Sequence, residues 1–333
     1  MANKGIKITE LSKQESSGLK NSQLVLEISG DSVNFAIVNT IRRLVMDYIP
    51  SYSFCNDSIE IAENNSVFNN DEMKLRLSQM TIPNISNKIN HLEKKYWKGV
   101  DYSDKNREKH SDDNELIEMY VNINNDSDNV FNITTNHVRF YKSGEEMKNM
   151  FSKEYPLLLI QLRQGEHFSC RCVAVLGIGK SNNIWAGAGN CYYEELDSNK
   201  YKFTIESSGQ MDEYELLVKA CDIYKEKLSF IKETFKELYK TSEVKDHKSI
   251  KIKLEDEDHT VGNLINYYLQ NDKDVLFSGI SKPDLLIEEV QINIKTIKLD
   301  PLKNFLNSID SCISTFDLIQ KKFNKIGKKY IKI

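Results

Sequence analysis

The sequence predicts an α+β protein of two or three units, and three observations carry that reading. Stretches such as "QLVLEISG" and "YKFTIES" place an apolar residue at every second position, as half-buried strands do. Two long segments instead repeat apolar residues at alternating steps of four and three, the spacing of a helical seam. The two halves of the 333-residue chain also echo each other: strand, acidic turn, helix, further strand, long seam helix.

In the first unit, Leu24, Leu26 and Ile28 alternate along a strand. A helix follows through "VNFAIVNTIRRLVMDYI", capped by Asp31 or Ser32 and stopped by Pro50. "SIEIAENNSVF" gives another short strand, and the acid-led "DEMKLRLSQM" a helix that ends before Pro83. From about Asn84 to Asn136 the chain turns polar, charged and Asn-rich, which reads as insertion and loop. Strands resume at "VRFYK", "PLLLIQL", "FSCRCVAVLGIG" and "YKFTIES". Between Met211 and Lys240, Leu217, Cys221, Tyr224, Leu228, Ile231, Phe235 and Leu238 form the first seam. After "IKIKL", "TVGNLINYYLQ" and "VQINI", Asp300 and Pro301 open the second: Leu302, Phe305, Ile309, Cys312, Phe316, Ile319, Phe323 and Ile326. Two narrow seams need partners, and a polar connector of 242–249 is long enough for the second half to fold against the first. Two independent domains on a tether is the alternative.

Lys and Arg total 45 against 49 acidic residues, so the net charge of −4 supplies no global basic field for nucleic acid. The longest apolar runs are too short to span a bilayer, and the N-terminus lacks the apolar core of a secretory signal. Cys55, Cys170, Cys172, Cys191, Cys221 and Cys312 show no zinc-site spacing, which implies reduced, buried thiols and no metal.

Two stretches invite a chemical reading. "AVLGIGKS" has the outline of a phosphate-binding loop, with Lys180 as the phosphate ligand, but such a loop must open a helix, and "NNIWAGAGN" follows. A Gly-rich turn between strands fits better. In "EDEDHTVGNLINYYLQ", His259 beside Asp258 has the outline of an acid-base pair, yet no nucleophile or second ligand accompanies it. Asp258 or Thr260 as a helix cap, with Gly262 allowing another backbone to approach, accounts for the same residues. Arg42 and Arg43 interrupt an apolar helix and point about 100° apart, which leaves them divided between a solvated face and an interface.

These motifs converge on a family. "FAIVNTIRRLVMDYIP" followed by "IEIAENNSVFNNDEMKLRL" resembles the signature of the alpha-like subunits of DNA-directed RNA polymerase: bacterial alpha, archaeal D and the eukaryotic third-largest subunit. "QLRQGEHFSCRCVAVLGIGKSNNIW" resembles their inserted domain, and "EDEDHTVGNLINYYLQNDKDVLFSGI" with "DPLKNFLNSIDSCISTF" resembles the smaller mate, archaeal L or the eukaryotic eleventh subunit. The chain thus resembles both mates fused in tandem, an arrangement like that in polymerases of large cytoplasmic DNA viruses.

The resemblance implies two alpha-like dimerisation domains paired within one chain plus an inserted, mostly β domain. The expected division is 1–85 with 200–241, an insert of 86–199, a linker of 242–249 and a second domain of 250–333. It implies a non-catalytic assembly platform without cofactor for the two largest catalytic subunits, with small subunits resembling the eukaryotic tenth and twelfth beside it. It further implies a place in the host cytoplasm and the virion, and contact with nucleic acid only indirectly through the complex. Asn39, Arg42 and Arg43 fall on the first motif and His259, Thr260, Gly262, Asn263 and Leu264 on the second, near the dimer mate or a large subunit. The insert departs from the family in its cysteine spacing and between Asn84 and Met150.

Overall fold

The computed structural model describes residues 5–16, 21–85, 88–104, 106–113, 115–241, 247–284, 286–298 and 300–331. Along the chain these form β1 (Lys7–Gln14), β2 (Gln23–Ser29), α1 (Phe35–Asp47), β3 (Pro50–Ser53), β4 (Ile59–Asn64), α2 (Asn70–Ser78) and β5 (Ile117–Asn124). Next come β6 (Phe131–Thr134), β7 (Arg139–Lys142), β8 (Glu145–Met147), β9 (Leu158–Leu162), β10 (His167–Val173), β11 (Val175–Ile178), β12 (Ala188–Asp197) and β13 (Lys200–Ser207). The last third holds α3 (Glu213–Thr241), β14 (Ser249–Glu255), α4 (His259–Gln270), β15 (Val275–Ser281), β16 (Glu289–Thr296) and α5 (Pro301–Gly327). Among the described residues all strand pairs are antiparallel, and the α+β class follows from them and the five α-helices.

The first sheet runs β1-β2-β13-β12. Its inward face carries Leu24, Leu26, Ile28, Tyr201, Phe203 and Ile205, each essentially inaccessible to solvent, and α1 lies on that face through Ile37, Val38, Ile41, Leu44 and Val45. The cap of α1 is Asn34, whose side chain accepts from the Ile37 amide at 3.0 Å, and not Asp31 or Ser32. The reason is a tight turn, closed by the Val33 amide on the Gly30 carbonyl at 2.8 Å, which occupies those residues before the helix can start. Asn69 and Glu72 cap α2 reciprocally, and Asp300 caps α5 with Pro301 in its first turn.

The sheets cut across the expected boundaries. β12, expected in the insert, is the edge of the first sheet, because Asp197 to Lys200 is a tight hairpin that pairs it with β13. Conversely β4, from the expected first unit, joins β10 in the five-stranded order β4-β10-β5-β7-β8. The loop expected from Asn84 to Asn136 contains β5 and β6, and β5 is central to that sheet: Ile117, Met119 and Val121 point into the core while Glu118, Tyr120 and Asn122 point out. β1 and β15 are further strands that sequence alone did not indicate. The connector falls largely on 242–246, which lie outside the described residues, as does the Leu238 side chain.

The second half repeats the sheet-and-helix plan with the three-stranded order β14-β16-β15 covered by α4. Gly262 fits there for a reason other than backbone approach: a Cβ at this position would come within 2.4 Å of Ile280 Cδ1 and 2.8 Å of Val290 Cγ1. The two seam helices pack against each other in antiparallel fashion. Tyr214 of α3 meets Gly327 and stacks on Tyr330, Tyr224 meets Phe316 with ring centroids 4.4 Å apart, and Phe235 meets Phe305 at 5.2 Å. Leu217, Cys221, Tyr224, Leu228, Ile231, Leu302, Phe305, Ile309, Cys312, Phe316 and Ile319 are buried, and Phe235 is partly so. One continuous core therefore runs through both halves. All six cysteines are free thiols and buried. No described helix is long and apolar enough to cross a membrane.

Candidate assembly interface

The two family motifs meet each other. Asp256 takes a left-handed turn between β14 and α4, with φ of 60°, and its amide binds the Glu288 carbonyl at 2.8 Å. That turn gathers Asp256, Glu257, Asp258 and Glu288 into one acidic knot on the second half. Five cations of the first half surround it. Arg43 on α1 reaches Asp258 at 2.9 Å, and Lys227 on α3 reaches Glu257 at 2.9 Å. Lys180, in the turn after β11, reaches Glu288 at 3.1 Å. Lys94 binds Glu288 at 3.2 Å and Asp256 as well, and Lys98 adds a contact to Glu288 at 3.4 Å.

Tyr48, the residue that ends α1, sits at the centre. Its hydroxyl donates to Asp258 at 3.1 Å and accepts from Lys180 at 3.2 Å, while the Lys227 ammonium lies 4.4 Å from its ring centroid. Thr40 on α1 donates to the Thr260 carbonyl at 3.3 Å. Asp258 also caps α4 by accepting from the Thr260 amide at 2.7 Å.

The electrostatics follow from burial and pairing. Burial alone would raise the Asp258 pKa, but the Thr260 hydrogen bond and the charges of Arg43 and Lys180 outweigh it and hold the carboxyl down at about 2. Glu288 is likewise held at about 2, with burial opposed by Lys180, Lys94 and Lys98. Glu257 is raised, because its burial exceeds what Lys227 returns.

A strap of the chain from Ile85 to Asp113 reinforces the junction. Ile85, Ile89 and Leu92 are buried, Asn90 donates to Glu226 of α3 at 3.0 Å, and Lys94 and Lys98 reach the acidic knot. Farther on, Tyr102 packs on Trp185 with centroids 5.2 Å apart, and Asp113 accepts from Tyr52 at 2.8 Å.

The expected interface residues divide into two groups. Arg43, Thr260, Gly262 and Leu264 face the other half or the core. Asn39 and Arg42 bond to each other at 3.0 Å on the half-exposed side of α1, and His259 and Asn263 are exposed on α4. "AVLGIGKS" forms β11 and a turn: Val175 to Ile178 pair with β3, and only a single 3-10 turn, Asn183–Trp185, follows in place of the α-helix a phosphate loop opens. Its glycines serve close packing, since a Cβ on Gly177 would strike the Trp185 ring at 2.5 Å and one on Gly179 the Met46 carbonyl at 2.0 Å. Sequence reasoning missed Tyr48, Lys94, Lys98, Lys227 and Glu288. The available signal was the acidic run itself, since four adjacent carboxylate residues ahead of an apolar helix require cations from somewhere.

Comparison with known proteins finds the same domain description in both halves of the chain. The sequence profile described as the RNA polymerase Rpb3/Rpb11 dimerisation domain matches residues 27–228, and a second profile of the same description matches 249–322. A protein of Acanthamoeba polyphaga mimivirus, named provisionally as a DNA-directed RNA polymerase subunit, is 28% identical over 331 residues, covering 91% of this chain and 92% of the relative. The DNA-directed RNA polymerase II subunit rpb3 of Dictyostelium discoideum is 24% identical over 49% of this chain and 53% of its own length. Subunit rpb11 of the same organism is 31% identical over 22% of this chain and 58% of its own length.

Proposed function

Because this chain belongs to the RNA polymerase Rpb3/Rpb11 dimerisation domain family, we propose that it is the alpha-like subunit of a multisubunit DNA-directed RNA polymerase and carries both dimer mates in one polypeptide. The observation that supports this most is the junction itself: two seam helices that need partners pack on each other, and the acidic knot is neutralised by cations of the same chain. In this reading residues 1–85 and 200–241, with β12 added, are one mate and 250–333 the other. The subunit is a non-catalytic platform, and the nucleotidyl transfer belongs to the two large subunits assembled on it. Asn39 and Arg42 beside the exposed Phe35, and His259 with Asn263, are the motif residues left facing outward for those subunits. Small subunits like the eukaryotic tenth and twelfth dock beside the insert. The mimivirus relative supports a viral polymerase, and the place we infer for this chain is the host cytoplasm and the virion.

The test is an affinity pull-down of the tagged chain from producing cells, with mass spectrometry of what remains bound. Recovery of two large chains in equal amount with one copy of this chain is expected. Recovery of a self-paired dimer alone would replace the platform with a homodimeric scaffold and overturn the reading.

A further inference from the structure

The sheet β1-β2-β13-β12 and the sheet β14-β16-β15 treat their open faces differently. On the first sheet the outward lysines are paired: Lys200 with Glu27 at 2.9 Å and Lys202 with Glu194 at 3.5 Å, while Gln23 donates to Glu206 at 2.7 Å. On the sheet β14-β16-β15 they are not all paired among the described residues. Ile252 and Leu254 of β14, and Val290, Ile292 and Ile294 of β16, face α4, so Lys251, Lys253, Asn293 and Lys295 face outward. Lys251 stands opposite Asn293, and Ser249 opposite Lys295, which makes Lys251 and Lys295 diagonal neighbours about 7 Å apart. Lys253 lies 3.7 Å from Glu289, whereas Lys251 and Lys295 have no ion-pair partner among the described residues.

Phe277 stands directly across from Lys295 on β15 and is 57% exposed. Its ring lies down over the next outward position, Gly279, where an added Cβ would sit 2.9 Å from Phe277 Cζ. A glycine there lets the ring lie against the sheet and turn one π face to solvent. The face thus combines an exposed aromatic platform with adjacent unpaired ammonium groups in a chain whose net charge is −4. A ligand that matches both must alternate negative charge with flat π surfaces. Single-stranded nucleic acid does so, because its bases are free to stack and its phosphates are free to meet lysines. A duplex buries its base faces, and an acidic peptide supplies charge without the flat surfaces.

We propose that the open face of β14-β16-β15 binds single-stranded nucleic acid, with Phe277 stacking on a base and Lys251 and Lys295 holding phosphates. The proposal goes beyond the assembly reading and does not depend on it, since it concerns a surface turned away from the junction and is tested on the isolated full chain. It gives the molecule a local nucleic-acid contact that its overall charge conceals.

The experiment is fluorescence anisotropy of a labelled single-stranded oligouridine or oligothymidine with the purified full-length protein across a salt series. Wild type is expected to bind with an affinity that falls with salt. Replacing Lys251→Gln together with Lys295→Gln should weaken binding strongly and reduce the log–log salt slope by about 1.4, the share of two phosphate contacts on a single strand. Phe277→Ala should weaken binding about fivefold or more at unchanged slope, as loss of one stacking contact does. The pair Lys200→Gln with Lys202→Gln on the other sheet should bind as wild type, and melting curves of all variants certify folding. Absence of wild-type binding, or equal binding by the Lys251 and Lys295 variant, overturns the proposal. So does displacement by polyglutamate at equal charge with Phe277→Ala unaffected, which would assign the face to an acidic protein.

Discussion

Asp258 does two jobs with one carboxylate: one oxygen caps α4 and the other binds Arg43 and Tyr48 of the first half. Losing a cap costs about 0.5 to 2 kcal/mol, and here the guanidinium opposite is left without its closest carboxylate as well. Asp258→Ala is therefore expected to lower stability by roughly 2 to 3 kcal/mol in urea denaturation. A double-mutant cycle with Arg43→Ala should return a coupling of about 1 kcal/mol or more, and strict additivity would disprove the pairing. The pH dependence follows from direction. With a folded pKa near 2 against an ordinary 3.8, Asp258 stabilises the fold fully above about pH 4 and loses that contribution as the pH falls through 2. His91 in the strap acts in another window. Burial, aided by Lys227, lowers its pKa from 6.5 to about 4, so the unfolded chain takes up a proton first and stability falls as the pH drops from 6.5 towards 4. His91→Gln should flatten the melting temperature over that interval, and an unchanged slope would refute the assignment.

At the level of elements, the seams were the most legible part of the sequence, because an apolar residue every three or four positions over seven turns has no other stable use. Phe316→Ala should cost about 3 to 5 kcal/mol, since its ring is fully buried against Tyr224. Ile231→Asp combined with Ile309→Asp should abolish cooperative melting, because two carboxylates would be left without partners inside the seam. An unaltered transition would rule out the packing of α3 on α5. β5 was less legible. Its inward Ile117, Met119 and Val121 alternate properly, but flanking Asn, Asp and Lys dilute the signal, and the strand is defined by β10 and β7 on its two sides. The acidic run was visible and its purpose was not. The counter-charges of the run and of Glu288 beside it come from positions 43, 94, 98, 180 and 227, which only the folded chain brings together.

At the scale of the whole molecule, the halves are joined three ways: by the seam, by the charges around Tyr48 and by the strap from Ile85 to Asp113. A protease site placed in the connector between Thr241 and His247 tests whether these suffice without the covalent link. The cut protein is expected to elute as one species in size-exclusion chromatography, and separation into two peaks would favour independent domains on a tether. Uncut, α3 and α5 belong to the same polypeptide, so their encounter is a first-order event at an effective concentration on the order of millimolar. Pairing then does not weaken on dilution, and the two halves are always made in equal number by one translation event. An orphan half, exposing an unfilled seam, never accumulates.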